Sequence, residues 1–331
     1  MAISPKAKLA IKSVLAALVL AFVARHVAGT WRDLAARGES IRLDGGWFAL
    51  AVVLYVLGLL AFGAYFGRVL RSSATPTAAF PATRAYLISH LGKYVPGKAM
   101  VVVIRAGLVT PYGARASTAA FATLYETLVM MATGALASGF VFAVGLGTSP
   151  PEPFATTMPG GWSEVRAASV LVGFGLGLAF LAISWPSVFP RVAGLARVPF
   201  PDVGPDALPR LSKRLLAEGV AWSLLGWALL GLSQVAVIRA LAPAGLPPSA
   251  WPLTMASVAL ATVAGFVVPI APGGLGVREW VLWTALGATV DRDLAVVSAL
   301  ALRLAWVVGE GVAALVVAPI RVRASGPAGP P

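Results

Sequence analysis

Two stretches of this chain put proline, glycine and a basic residue where a helix can begin: "GKYVPGKAMVVVIR" at 92 to 105 and "VVPIAPGGLGVREWVLW" at 267 to 283. A helix that starts just after a Pro-Gly step presents free backbone N–H groups and the positive end of its dipole, which together bind phosphate or carboxylate. Pro96, Gly97, Gly273 and Gly274 supply those starts, and Lys98, Arg105 and Arg278 add mobile positive charge beside them. Lys93, His90 and Tyr94 lie one or two turns upstream of the first break. Inside hydrocarbon such a break frees backbone polar groups that lipid cannot satisfy, so it is tolerated where protein or a polar cavity surrounds it. The chemistry this suggests is recognition of a phosphate-bearing headgroup. A plainer alternative is a helix cap whose Lys or Arg snorkels to the interface, and the residues by themselves leave both open.

Three more ionisable residues fall deep in apolar runs. Glu126 follows Arg115 by 11 residues, about 16 Å of helix at 1.5 Å per residue, close to the middle of its span. Arg303 and Glu310 are seven apart, hence on one helical face. Charges at that depth are costly and mark function by default, so Glu126, Arg303 and Glu310 are expected to line an intramembrane polar path, balancing the cations or carrying a coupled proton. The alternative is a structural ion pair of Glu126 or Glu310 with Arg303 or Arg278.

Catalysis has less to work with. There is no Cys, and only two His without clustered carboxylates, so disulfides and thiol chemistry are excluded and a metal site is not expected. No catalytic residue, metal ligand or cofactor is assigned. The string "GKYVPGKA" satisfies G-x-x-x-x-G-K, but Ala99 stands where Ser or Thr must hold Mg²⁺ and no strand precedes it, so we read the match as chance.

The elements that must position these residues are set by composition. The chain has 331 residues, 58% hydrophobic and 12% charged, with mean hydropathy +0.84, far too apolar for an ordinary soluble domain. Runs of roughly 20 apolar residues, and no ten-residue alternating strands, predict an all-α, polytopic membrane protein. Full spans are predicted at 9 to 28, 47 to 67, 116 to 145, 166 to 185, 217 to 238 and 294 to 319. The first of these is read as a retained helix despite its signal-like Lys6, Lys8 and Lys12. Two pairs of shorter segments, 78 to 92 with 99 to 109 and 252 to 268 with 275 to 290, are predicted to be re-entrant hairpins around the Pro-Gly breaks.

The net charge of +13 is read first as cytoplasmic-loop bias and second as attraction to anionic lipid, not as nucleic-acid binding. Segments 1 to 12, 68 to 115, 186 to 216 and 320 to 331 hold 17 of the 26 basic residues and all six Lys. These are expected to face the cytoplasm, with both termini on that side of a bacterial-type inner membrane. Element order then repeats: two spans, a hairpin and a span, twice. The chain reads as one membrane domain, 1 to 319, with an inverted repeat of 1 to 148 and 165 to 319 and a disordered tail at 320 to 331. Eight to ten ordinary helices remain the alternative.

The strings "HLGKYVPGKAMVVVIRAGLV" and "PIAPGGLGVREWVLWTAL" resemble the paired hallmarks of the lysylphosphatidylglycerol synthase transmembrane family, also called flippase-like, whose larger members include the bacterial multiple peptide resistance factor. Carried over by position, the resemblance nominates Pro96, Gly97, Lys98 and Arg105, then Pro272, Gly273, Gly274, Gly276, Arg278 and Glu279. In larger members the membrane region is associated with moving aminoacylated phosphatidylglycerol across the bilayer, while a soluble transferase domain makes it. No such domain is read in this sequence. The resemblance thus implies a non-enzymatic lipid transporter for an anionic phospholipid, aminoacyl-phospholipid or polyprenyl-phosphate-linked lipid. A membrane-embedded transferase and a non-catalytic partner of a biosynthetic enzyme stay as alternatives, and a homodimer stays open.

Overall fold

Asp44 opens the first described helix by accepting hydrogen bonds from the backbone N–H groups of Gly46 at 2.8 Å and Trp47 at 3.1 Å. These are two of the four donors that any helix start leaves unpaired. A computed structural model describes residues 43–74, 77–94, 99–145, 161–195, 207–268 and 276–320. They form ten α-helices joined by turns and short 3₁₀ segments, with no strand among them. In chain order the helices are α1 Gly45–Arg71, α2 Ala79–Ser89, α3 Ala99–Val109, α4 Ala116–Val144, α5 Gly161–Ser184, α6 Phe189–Leu195, α7 Lys213–Leu241, α8 Trp251–Val267, α9 Val277–Leu286 and α10 Arg292–Val317. A 3₁₀ segment, His90–Tyr94, continues α2.

Six of the described stretches are long and apolar enough to cross a membrane. Five match predicted spans: α1, α4, α5, α7 and α10. The predicted span at 9 to 28 lies outside the described residues. The sixth is Pro248–Val267, which joins a 3₁₀ turn to α8. The sequence reading treated this stretch as a short hairpin arm; its 20 residues reach about 30 Å at 1.5 Å per residue, a full crossing by length. Helices α2 and α3, with 11 residues each, and α9, with 10, cover only about 15 to 17 Å on the same rule, half the hydrocarbon thickness.

Lipid tails are as apolar as the helices, so packing rather than water exclusion joins them, and small residues let backbones approach. The seam between α4 and α5 is built this way: a Cβ on Gly173 would meet the Gly139 Cα at 2.6 Å. The seam between α1 and α7 uses Gly226 against Phe62 and Gly219 against Tyr65. Two other contacts fix its direction. At one end the Asp44 N–H donates to the Ala240 carbonyl at 2.9 Å, and at the other Arg68 pairs with Glu218 at 2.7 Å. The two helices are therefore antiparallel.

The packing follows one rule of exchange. Helix α1 packs on α2, α2 on α3 and α3 on α4; likewise α7 packs on α8, α8 on α9 and α9 on α10. Contacts of α4 with α1, α7 and α8 have counterparts in those of α10 with α7, α1 and α2. Exchanging α1–α4 with α7–α10 reproduces these contacts. Helix C-termini are treated alike too. Arg166 donates to the carbonyls of Phe142 at 2.8 Å and Ala143 at 2.7 Å, and Arg84 to those of Val317 at 2.9 Å and Ala318 at 2.7 Å. Each places a cation at the negative end of a long helix and fills orphan acceptors.

Candidate functional site

The two helix sets each carry an ion pair between the third helix and the fourth, with the signs of the charges exchanged. In the first set Arg105 of α3 donates to Glu126 of α4, Nη1 to Oε2 at 3.2 Å. In the second set Arg303 of α10 donates to Glu279 of α9.

The first pair is sealed. Its side chains are 2% and 1% exposed, and other groups complete their valences. Arg105 Nε donates to Ser89 Oγ at 3.0 Å, and the Tyr86 hydroxyl donates to Glu126 Oε1 at 3.2 Å. The guanidinium lies over the rings of Tyr86 at 4.1 Å and Phe66 at 4.9 Å. A buried charge this well surrounded has little capacity left for a ligand; its role in the geometry is to tie α2, α3 and α4 together.

The second pair opens onto a larger cluster. Glu279 serves twice: Oε2 accepts from the Gly276 N–H at 2.7 Å, closing the start of α9, and Oε1 accepts from Arg303. Gly276 has φ +84°, a left-handed backbone that any side chain would strain. One helix face of α10 then presents Arg303, Trp306 and Glu310. Glu310, fully buried, accepts through Oε1 from both Lys93 Nζ and the Tyr55 hydroxyl, so it joins the 3₁₀ segment after α2 to α1 and α10. Its Oε2 accepts no hydrogen bond among the described residues. Tyr55 stacks on Trp306, centroids 4.5 Å apart and planes 10° apart.

Arg278 lies over the ring of Trp306, its guanidinium carbon 3.9 Å from the indole centroid. Unlike Lys93 and Arg303, it has no carboxylate partner among the described residues, and its Nη2 is buried without a hydrogen bond. Among the described residues the cluster thus contains three cations, Lys93, Arg278 and Arg303, and two carboxylates, Glu279 and Glu310. Two cations are matched and one is left over. A half-buried guanidinium over an aromatic ring, with its Nη2 open, is suited to recognition of phosphate or carboxylate.

A family model, the lysylphosphatidylglycerol synthase TM region, matches residues 9–309. The chain belongs to this family. It is a multi-pass membrane protein of the lysylphosphatidylglycerol synthase TM region family, and the match ends one residue before Glu310. Among curated proteins, none matches the chain.

Of the site residues nominated from the sequence, the fold brings Lys93, Arg278, Glu279, Arg303 and Glu310 together and sets Gly276 at the head of α9. Arg105 and Glu126 form their own closed unit. Pro96, Gly97, Lys98, Gly273 and Gly274 lie outside the described residues. Tyr55 and Trp306 were missed. Trp306 had a readable signal, since it stands three residues after Arg303 and four before Glu310, the spacing of one helix face. Tyr55 had none beyond being a hydroxyl inside an apolar span.

Proposed function

We propose that this protein is a lipid transporter of flippase or scramblase type in a bacterial-type inner membrane, not an enzyme, moving a lipid whose headgroup carries phosphate. Candidate headgroups are those of anionic phospholipids, aminoacyl-phospholipids and polyprenyl-phosphate-linked lipids. The observation that carries the reading is Arg278: a half-buried guanidinium over the Trp306 ring, with a buried Nη2 that makes no hydrogen bond and with no carboxylate partner among the described residues. A lone cation inside hydrocarbon is expensive unless an anion visits it. Membership of a lipid-related family agrees with this use.

The antiparallel run of α1 against α7 and the exchange of packing partners support an inverted repeat, with the Lys93–Glu310 bridge where the two helix sets meet. Transporters of that plan alternate by rocking one repeat against the other around a fixed central site. In this reading the phosphate rests on Arg278, the acyl chains stay in lipid, and Glu310 and Glu279 hold the neighbouring cations in place. The basic segments 68 to 115 and 186 to 216 favour their placement on the cytoplasmic side, which also puts both termini there.

The test is headgroup translocation by purified protein in donor-free liposomes containing a fluorescent phospholipid, read by quenching of the outer leaflet. Transport by the wild type and its loss in Arg278→Ala is the expected result. Absence of translocation, with product formed when an aminoacyl or glycosyl donor is added, would replace the transporter by a transferase.

A further inference from the structure

A second, chemically different site lies on the flank of the bundle. Between α5, α8 and α9 is a cavity of about 560 Å³, within the roughly 300–1,000 Å³ typical of small-molecule sites. Its walls are α5 from Glu164 to Val172, Leu260 and Ala264 of α8, and α9 from Trp280 to Ala285. Behind it sits a small apolar cluster, including Phe142, Leu253, Leu260 and Ala285, that is separate from the main core. None of the residues of the Arg278 cluster lines it.

Two charged residues interrupt this mostly apolar lining, which also carries Ser169 and Thr284. Arg292, the first residue of α10, holds its guanidinium carbon 5.6 Å from the centroid of the Trp283 indole. Glu164, in the first turn of α5, is the lining's one carboxylate. Both are exposed, so both are open to a headgroup. A guanidinium is suited to a phosphate, and a carboxylate to an ammonium. Between them the space is mostly apolar, in a protein whose surrounding medium is hydrocarbon. A phosphate, an ammonium and a long alkyl chain occur together in one class of molecule.

We propose that this cavity is a lateral binding site for one acyl chain of a zwitterionic glycerophospholipid, with the chain along α5 and α8 and its phosphate on Arg292. Glu164 selects the headgroup. A carboxylate on the rim repels a wholly anionic headgroup and attracts one that ends in an ammonium, so a phosphoethanolamine lipid is held better than a phosphoglycerol lipid. The site does not need the protein to transport.

The experiment is native mass spectrometry of the full chain, delipidated in detergent and titrated with dioleoylphosphatidylethanolamine or dioleoylphosphatidylglycerol. Wild type should hold one phosphatidylethanolamine that survives detergent exchange. Ala168→Trp, which fills the cavity from an exposed position on α5, should lose it. Arg292→Gln should weaken binding about tenfold or more, the scale of a hydrogen bond to a charged group. Glu164→Gln should erase the preference between the two lipids, and Arg278→Ala should leave this lipid in place. Unchanged stoichiometry in both Ala168→Trp and Arg292→Gln would mean annular lipid only and would overturn the proposal. Loss of this lipid in Arg278→Ala with retention in Ala168→Trp would assign it to the central cluster instead. Failure of Arg278→Ala to affect translocation bears on the transport reading alone.

Discussion

Arg105 and Glu126 face each other at 3.2 Å, both side chains buried, with Ser89 accepting from Arg105 and Tyr86 donating to Glu126. Sequence alone gave Arg105 to the headgroup and Glu126 to a polar path. Their geometry makes them a fastening. Removing one partner strands a buried charge, which costs about 3–5 kcal/mol. Arg105→Met or Glu126→Leu alone should therefore lower thermal stability in detergent sharply, whereas the double substitution, apolar on both sides, should recover most of the loss. Equal, additive losses in a double-mutant cycle would show that the pair is not coupled.

Arg278 should behave in the opposite way. Its removal breaks no ion pair among the described residues, so Arg278→Ala should change melting temperature little while reducing translocation strongly. Arg278→Lys keeps the charge but forfeits the planar stack on Trp306, a cation–π contact of about 2 kcal/mol when desolvated. Its translocation should fall between wild type and Arg278→Ala.

Glycine positions along one helix give an internal control. Gly173→Ala would push a Cβ to 2.6 Å from the Gly139 backbone, while at Gly175 nothing lies within 4 Å. Gly173→Ala should destabilise by about 1–3 kcal/mol through overpacking. Gly175→Ala should be neutral or stabilise by up to about 1 kcal/mol, from helix propensity. Melting curves of the two variants, side by side, check it.

At the head of α9, Gly276→Ala keeps every hydrogen bond but forces a side chain into the left-handed region, at about 1–2 kcal/mol. Glu279→Gln keeps an acceptor for the Gly276 N–H and removes the charge that holds Arg303. Of the two, Glu279→Gln should alter headgroup transport more, and Gly276→Ala should chiefly reduce stability. Translocation rate and melting temperature, measured on both variants, separate the effects.

The long helices were legible because each is a near-continuous apolar run of roughly 20 residues or more. The pairing of charges was not. Glu126 was recognised as too deep to be idle, yet its partner is 21 residues back in a different helix, and only the α3–α4 packing selects Arg105 over Arg278 or Arg303. For Glu310 the even-handed alternatives were Arg303 and Arg278, and the fold chooses Lys93, from the other helix set. Seven-residue spacing put Arg303 and Glu310 on one face but could not say what faces them. Stretch 252 to 268 was underrated because its length was counted without the 3₁₀ turn before it.

The uncompensated cation at Arg278 also has an electrical meaning. A unit charge moved through the membrane potential exchanges about 2.3 kcal/mol per 100 mV, so a headgroup phosphate crossing alone would feel the full field. Held at a fixed site on Arg278, a phosphate monoanion forms a neutral couple, so the field acts on its entry and exit and not on the repeats as they rock around it. In the transport reading, a potential imposed across the liposomes should therefore bias translocation of a phospholipid with net charge and leave that of a zwitterionic one nearly unchanged.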